Sequence, residues 1–204
     1  ADWTATVTVE DDTNPVAICQ DITIQLDATG NATIAEDAIN NGSSDACGNL
    51  TFDTSVNSFT CADIGTNNVT LTVTDDSGNT ATCTAVVTVE DTVAPLAVCQ
   101  NISVQLNAQG SVTILDSDLD GGSTDACGID TVVAGQTVFG CADVGTNAVT
   151  LTVTDVNGNV STCTAMVTLG WQRCVESRNL WALRCCLSRS NCRCPRPVSW
   201  IAPR

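Results

Sequence analysis

Residues 69–75 read VTLTVTD, and residues 149–155 repeat the same seven letters. Val69, Leu71 and Val73 alternate with polar residues, which is the period-two pattern of a strand with one buried face. The threonines and valines are β-branched, and β-branched residues favour strands over helices. The alternation returns in residues 84–89, which read TAVVTV. Each copy of the motif therefore predicts the first member of a pair of long strands.

The whole stretch repeats with a period of 80 residues. Of the 80 positions from 11 to 90, 41 are identical to their partners at 91 to 170. Residues 4–11 (TATVTVED) also match residues 84–91 (TAVVTVED), with Trp3 in the place of Cys83. Such internal repetition is typical of tandem modules. We predict four segments: 1–11, the last strand of a preceding repeat; 12–91, repeat 1; 92–169, repeat 2; and 170–204, a tail rich in Arg, Cys and Trp.

Turn-forming residues divide each repeat into about seven short strands, without a helical stripe. This spacing predicts an all-β fold of tandem immunoglobulin-like antiparallel β-sandwiches. In repeat 1 we expect a broken first strand over 16–26, a second near 32–35, a hairpin across 50–61, and final strands at 68–75 and 80–89.

The charge distribution excludes several classes of function. The chain has 23 acidic residues against 7 arginines, a net charge of -16, and no Lys, His or Tyr. All the arginines follow residue 170, so residues 1–169 offer nothing basic to a nucleic-acid phosphate. The usual residues of acid–base catalysis are also scarce. We expect no enzyme, no nucleic-acid partner and, since apolar runs are short, no membrane span.

Thirteen cysteines in 204 residues indicate an oxidising compartment. We therefore expect an extracellular or cell-surface protein. Cys19 lies near the start of the first strand and Cys83 near the start of the last, and these strands commonly run side by side in such sandwiches. Cys47 and Cys61 flank the expected hairpin. The expected bridges are Cys19–Cys83, Cys47–Cys61, Cys99–Cys163 and Cys127–Cys141.

The tail from residue 170 contains all the arginines, three of the four tryptophans and five cysteines. None of it matches the repeats. One interpretation is a basic, disulfide-rich segment that docks on the acidic repeats. The other is a frame-shifted or mis-joined end, because out-of-frame translation gives such a mixture.

The repeats resemble the hyalin repeat family of extracellular immunoglobulin-like modules. The resemblance rests on residues 63–75 (DIGTNNVTLTVTD), Gly78, Asn79 and residues 83–89 (CTAVVTV), and on the Asp- and Pro-containing segments at 12–15 and 92–95. The motifs DACG (45–48) and FTCADIGTN (59–67) resemble segments of repetitive surface proteins of Bacteroidetes-type bacteria. The resemblance implies adhesion or stalk-building by tandem modules, without catalysis.

Two sets of residues are candidate sites. Acidic residues of the turn between the last two strands and of the segment before each repeat should meet at one end of the sandwich. Their oxygen atoms are ligands that suit calcium. The alternative is that they are solvated acidic residues of the surface. The candidate calcium ligands are Glu10, Asp11, Asp75, Asp76, Glu90, Asp91 and Asp155. The orphan strand, through Thr4, Thr6, Val7 and Val9, is a candidate joint between subunits by strand addition; a frayed end at a repeat boundary is the alternative.

The sequence thus predicts an extracellular structural or adhesive module that forms a disulfide-stapled rod or stalk on a cell surface. The alternative is a self-assembling subunit of an extracellular filament, joined by strand addition or by tail contacts. The expected partners are neighbouring repeats or identical subunits, with surface glycans or proteins as further candidates.

Overall fold

The structure, a computed structural model, describes residues 3–171 of the chain. The chain divides into two compact units, with the boundary between Val93 and Ala94. Each unit contains one of the 80-residue repeats, and strands dominate both of them. The all-β, immunoglobulin-like fold class is confirmed. The remainder of the predicted tail, residues 172–204, lies outside the described residues.

The first unit contains six strands in two sheets. A four-stranded sheet has the order β1-β6-β5-β3, and β2 pairs with β4 in a second sheet. Two isolated bridges, Val16 to Ser44 and Cys19 to Asn40, precede β1, so the first strand is broken as predicted. The strands are β1 (Ile22–Gln25), β2 (Asn31–Thr33), β3 (Leu50–Thr54), β4 (Ser58–Thr60), β5 (Gly65–Asp75) and β6 (Thr80–Glu90).

The second unit repeats this topology. Its larger sheet has the order β7-β12-β11-β9, and β8 pairs with β10. Three short 3-10 turns complete the described residues: Cys61–Asp63 in the first unit, and Asp116–Asp118 and Cys141–Asp143 in the second. The strands are β7 (Ile102–Leu106), β8 (Ser111–Thr113), β9 (Ile129–Ala134), β10 (Val138–Gly140), β11 (Gly145–Asp155) and β12 (Val160–Trp171).

The core lies on one face of the long strands. Val69, Leu71 and Val73 of β5 are fully buried, as are Val87 and Val89 of β6. The intervening threonines face the other way, because successive side chains of a strand point to opposite faces. In the second unit the equivalent valines form one cluster with the buried aromatic ring of Phe139, which comes from the smaller sheet. Burial between two sheets thus explains the period-two pattern.

Each unit has two distinct ends, which we call the leading and trailing ends. At the leading end of the first unit, the turn between β5 and β6 lies against Asp11, where the chain enters: the Asn79 side chain donates to the Asp11 carbonyl oxygen. At the trailing end, Gly65 begins β5 beside Val89, where β6 ends and the chain leaves. β5 has 11 residues, so about 33 Å separates the two ends.

The expected hairpin across residues 50–61 is not formed. β3 pairs antiparallel with β5, so that Leu50 lies beside Asp75. β4 pairs with β2 instead, in the other sheet. The segment between β3 and β4 therefore crosses from one sheet to the other. The alternation of apolar residues predicts the two strands equally well for either arrangement, which is why the sequence pattern did not separate them.

Within the described part of the chain, none of the helical segments has the length and apolar character needed to cross a membrane.

Candidate metal centre and disulfides

Three carboxylates converge at the leading end of the first unit. One oxygen atom from each of Asp11, Asp45 and Asp75 lies within 4.8 Å of the others. Asp75 ends β5, Asp11 belongs to the segment before the first strand, and Asp45 lies in the loop before β3. The fold thus brings together residues from three separate parts of the sequence, and we call them the leading-end carboxylates.

Asp75 is the buried member, with 5% of its surface exposed. Its Oδ1 accepts hydrogen bonds from the backbone N–H groups of Ser77 and Asn79, both at 2.8 Å. Its Oδ2 accepts from the Asn79 side-chain amide at 2.9 Å. Burial by itself raises the pKa of Asp75, but these hydrogen bonds from Asn79 and Ser77, with one from Gly78, outweigh burial and lower the pKa below its ordinary value. The carboxyl is therefore held ionised.

Asp155 repeats this arrangement in the second unit. It is 1% exposed, and its carboxylate accepts from the backbone N–H groups of Asn157 and Asn159 at 2.9 and 2.8 Å. Burial again raises the pKa, and the hydrogen bonds from Asn159, Asn157 and Gly158 lower it further than burial raises it. The Asp-x-x-Gly-Asn turn thus presents a buried, hydrogen-bonded carboxylate in both repeats.

Asp11 and Asp45 are held by their own turns. Asp11 Oδ1 accepts from the Thr13 N–H at 3.0 Å, and Asp45 Oδ1 accepts from the Cys47 N–H at 2.7 Å. Asp11 Oδ2 is a buried atom without a hydrogen-bond partner among the described residues. A carboxylate oxygen removed from water and without a donor is costly. A hard cation such as Ca²⁺, which binds several carboxylate and carbonyl oxygens, would satisfy it.

The structure places the other predicted calcium ligands elsewhere. Glu10 is exposed, and Glu90 is exposed at the trailing end, beside Gln25 of β1. Asp76 Oδ2 accepts from the Asn49 backbone N–H at 2.9 Å and therefore faces the turn before β3. Asp91 is half-buried, and its Oδ1 accepts from the Val93 N–H. Of the seven predicted residues, Asp11 and Asp75 are in the leading-end group.

Asp45 was not predicted as a ligand. The signal for it was present, because DACG occurs letter for letter at 45–48 and 125–128. Of the residues in this motif, only the cysteine was predicted to have a structural role. The aspartate has a structural task in both copies, since Cys47 N–H donates to Asp45 and Cys127 N–H donates to Asp125.

Two disulfides link the first and last strands of the units. Cys19 is bonded to Cys83, and Cys99 is bonded to Cys163, each with a Cα–Cα distance of 5.8 Å and a sequence separation of 64 residues. In both units the first strand runs parallel to the last one. Since such bridges form in oxidising compartments, they place the chain in an extracellular environment.

The expected bridges Cys47–Cys61 and Cys127–Cys141 are corrected by the topology. Cys47 carries a free, exposed thiol. It lies at the leading end, three residues before Leu50, which pairs with Asp75. Cys61 begins the 3-10 turn before Gly65, at the trailing end. About 33 Å separates these ends, whereas the Cα atoms of a disulfide are about 4.4 to 6.8 Å apart.

The second unit has the same geometry. Ile129 pairs with Asp155 at the leading end, so Cys127 lies there, and Cys141 precedes Gly145 at the trailing end. Cys61, Cys127 and Cys141 are all disulfide-bonded.

The predicted subunit joint lies in an exposed segment. Residues 3–15 contain no strand in the structure. Thr4 and Thr6 are exposed, and Val7 and Val9 are 82% and 90% exposed. The match of residues 4–11 to β6 therefore does not lead to a strand within the described chain, because a strand needs a neighbouring strand for its hydrogen bonds.

No family model and no curated protein matches the chain. Among solved structures it is similar to human protocadherin-24 EC1-2, with 14% identity, 79% of this chain and 100% of that chain covered, and a TM-score of 0.43. Human mucin-like protocadherin EC1-2 is 12% identical, with 75% of this chain and 97% of that chain covered and a TM-score of 0.37. Protocadherin gamma B7 extracellular cadherin domains 1-4 have 13% identity and a TM-score of 0.37, and the chain spans 52% of that structure's length. Membership of the hyalin repeat family and a bacterial source stay predictions.

Proposed function

We propose that each repeat is a load-bearing module of an extracellular structural or adhesive stalk. The observation that carries the proposal is the parallel pairing of β1 with β6, closed by the Cys19–Cys83 bridge. The chain enters at the leading end and leaves at the trailing end. Tension on the two termini of the module therefore pulls β1 and β6 in opposite directions along their length.

This geometry resists tension for a simple reason. When parallel strands are pulled along their axes, the hydrogen bonds between them share the load and must break together. The disulfide adds a covalent path, since tension reaching Cys19 passes directly to Cys83. The chain between the two cysteines, which are separated by 64 positions in the sequence, is then shielded from the load.

Force spectroscopy of the whole chain, held by its termini, tests this role. We expect an unfolding force peak for each repeat and a short extension while the bridges are intact. Reduction should add about 220 Å of extension per repeat, since 64 residues are released at about 3.3 to 3.6 Å each. The variant Cys19→Ala/Cys83→Ala should give part of that extension in one repeat without reductant, because the bond at Cys61 stays intact. Reduced repeats that extend without any force peak would contradict the load-bearing role.

The partners we propose are those of such a stalk: neighbouring repeats, identical subunits, and proteins or glycans of an opposing surface. The high acidic charge of residues 1–169 supports binding to cationic or metal-bridged surfaces, because like-charged surfaces repel. Bead aggregation with the full chain, in calcium or in chelator, tests for binding between identical subunits. Dispersed beads in both conditions would contradict that partner.

Calcium is the cation we propose for the leading-end carboxylates. Three oxygens within 4.8 Å of one another and the buried, unpartnered Oδ2 of Asp11 support it. An ion held there would fasten Asp11, and with it the incoming chain, to the module. Isothermal titration of the full chain should show one calcium fewer per chain in Asp45→Asn than in wild type. Asp53→Asn, an exposed carboxylate of β3, is the matched control, and no calcium uptake by wild type would refute the site.

A second candidate function is supported by the exposure of Val7 and Val9. In this alternative, residues 4–11 add as a strand to a sheet edge of a second copy, and the chain is a filament subunit. Polymers of the full chain on size-exclusion chromatography that disappear in Val7→Asp/Val9→Asp would support it. A single monomer peak for the wild-type chain at high concentration would reject it.

A further inference from the structure

Residues 40–44 form the loop against which the chain before β1 pairs in the first unit. Ser44 pairs with Val16 through two backbone hydrogen bonds, of 2.8 and 3.0 Å. Three residues earlier in the loop, the Asn41 N–H donates to the Ile18 carbonyl oxygen at 2.8 Å. The length of the backbone between these two contacts therefore sets the register of the pairing.

Asn41 and Gly42 form an Asn-Gly pair within this loop, and both residues are exposed. Gly42 has φ +85°, and a Cβ built on it would meet no atom within 4 Å. Among residues 3–171, neither the Asn41 side chain nor the Gly42 N–H has a hydrogen-bond partner. In the second repeat, by contrast, the equivalent Gly122 N–H donates to Asp120 Oδ1 at 3.2 Å. The amide carbon of Asn41 and the nitrogen of Gly42 are thus both accessible to reaction.

The chain contains a second Asn-Gly pair, Asn157 and Gly158, in the turn between β11 and β12. Asn157 is also exposed, but its N–H donates to Asp155 Oδ1 at 2.9 Å. The Gly158 N–H donates to the Asp155 carbonyl oxygen at 3.2 Å. A backbone nitrogen whose hydrogen is bound in this way reacts only after the turn opens locally. The two pairs consist of the same residues, and these hydrogen bonds distinguish them.

We propose that Asn41 is a site of spontaneous deamidation, and that the isoaspartate formed there releases the chain before β1 from residues 40–44. The Gly42 nitrogen loses its proton to solvent base and attacks Asn41 Cγ, unhindered by a side chain of its own. A C–N bond forms, the Cγ–Nδ2 bond breaks, and Nδ2 leaves as ammonia with a proton from water. Water then opens the five-membered imide at either of its carbonyl groups, which gives aspartate or isoaspartate. One water is consumed for each ammonia released.

Isoaspartate changes the backbone of the loop, whereas aspartate leaves it unchanged. In isoaspartate the former side-chain Cβ becomes part of the main chain, so the path from position 41 to Ser44 is one atom longer. The pairing of Ser44 with Val16 therefore loses its register, while Cys19 stays bonded to Cys83. Both products also add a negative charge to a chain whose net charge is -16. This chemistry goes beyond the load-bearing role proposed above and does not require it.

Timed incubation of the full chain in mildly alkaline buffer, followed by peptide mapping, tests the site. A protease that cleaves before aspartate is suitable, since residues 1–169 contain no Lys or Arg. It releases residues 37–44, the peptide that contains Asn41. An aspartate at position 41 creates a new cleavage site, whereas isoaspartate resists the protease. Mass spectrometry of the digest therefore measures the rate and separates the two products.

We expect Asn41 to deamidate at least about tenfold faster than Asn157 in the folded chain, because the hydrogen bonds of the second turn must open first. The rate at Asn41 should rise with pH, since the attacking nitrogen must lose its proton. In the chain unfolded by urea and reductant, the two pairs should react at similar rates. Equal rates at the two pairs in the folded chain, or slower reaction at Asn41, would overturn the site.

Hydrogen exchange tests the structural effect of the isoaspartate. The backbone amides of Val16 and Ser44 should exchange at least about tenfold faster in the isoaspartate form than in the unmodified chain, because their mutual hydrogen bonds are lost. Asn41→Asp is the matched control, since it has the charge of the product and a normal backbone, and its exchange should match wild type. Unchanged exchange in the isoaspartate form would refute the release of the chain before β1. Equally fast exchange in Asn41→Asp would also refute it, because charge would then be the cause.

Discussion

The side-chain amide of Asn79 donates to the Asp11 carbonyl oxygen at 3.0 Å, across 68 residues of sequence. The same amide donates to Asp75 Oδ2 at 2.9 Å. One side chain therefore joins the incoming chain to the turn between the two longest strands. This relationship defines the leading end of the module and holds Asp11 beside the buried carboxylate.

Asn79 also sets the response of the first unit to acid. Its amide is one of the donors that lower the pKa of Asp75. A carboxyl whose folded pKa is depressed contributes stability above its ordinary pKa of 3.8, and that stability is lost as the pH falls through the folded pKa. We expect Asn79→Ala to raise the pKa of Asp75, so that acid destabilises the unit at a higher pH. Titration of the Asp75 carboxyl by NMR measures this.

The second unit supplies the control for that experiment. Asn159→Ala should raise the pKa of Asp155 and leave that of Asp75 unchanged, because the donors to each carboxylate come from its own turn. An unchanged Asp75 titration in Asn79→Ala would show that the backbone donors alone lower its pKa.

Removal of the Cys19–Cys83 bridge should cost about 4 kcal/mol of unfolding free energy in the first unit. The estimate follows from the 64-residue separation, since a longer closed loop restricts the unfolded chain more. The variant is Cys19→Ala/Cys83→Ala, and urea unfolding measures the change. Cys99→Ala/Cys163→Ala should give a similar loss in the second unit. A loss below about 1 kcal/mol would show that the bridge constrains the unfolded chain little.

Phe59 is the large buried side chain of the smaller sheet, with 1% of its surface exposed. Phe59→Ala leaves a cavity and should cost about 3 to 5 kcal/mol. Phe52 of β3 is the matched control, because it is the same residue type but half-buried. Phe52→Ala should cost clearly less in the same urea experiment. Equal losses would mean that the core does not lie between the two sheets.

Substitutions at Gly48 and Gly128 distinguish the cost of a strained backbone conformation from the cost of a steric clash. Both have similar positive φ angles, +116° and +113°, but an added Cβ meets Asp76 at 2.8 Å in one case and only Val156, at 3.8 Å, in the other. Either alanine substitution should cost about 1 to 3 kcal/mol for the strained φ. Gly48→Ala should lower the stability more than Gly128→Ala does, because its Cβ also clashes with Asp76. Thermal unfolding of the two variants measures the difference. A smaller loss for Gly48→Ala would mean that Asp76 moves aside freely.

The long strands were predictable because their local pattern coincides with their burial. Val69, Leu71 and Val73 alternate with polar residues, and all three are buried, as a strand with one buried face requires. The pairing of β3 was not predictable in this way. Adjacent strands in sequence usually form hairpins, and only the packed sandwich sends β3 to β5 and β4 to β2.

The candidate metal centre shows the same limit. Asp11 and Asp75 were recognisable as acids near a repeat boundary, whereas Asp45 joins them because β3 begins beside the end of β5. Likewise, the position of Cys47 at one end of the unit and Cys61 at the other follows from strand pairing and not from their spacing of 14 residues.

By itself, the sequence determined the strand pattern, the 80-residue repeat and the acidic, cysteine-rich character of the modules, because these depend on residue type and on local period. The tertiary structure alone decided which strands pair, which carboxylates converge and which cysteines lie within bonding distance. These are contacts between residues far apart in sequence, and they form only when burial of the alternating faces brings the two sheets together.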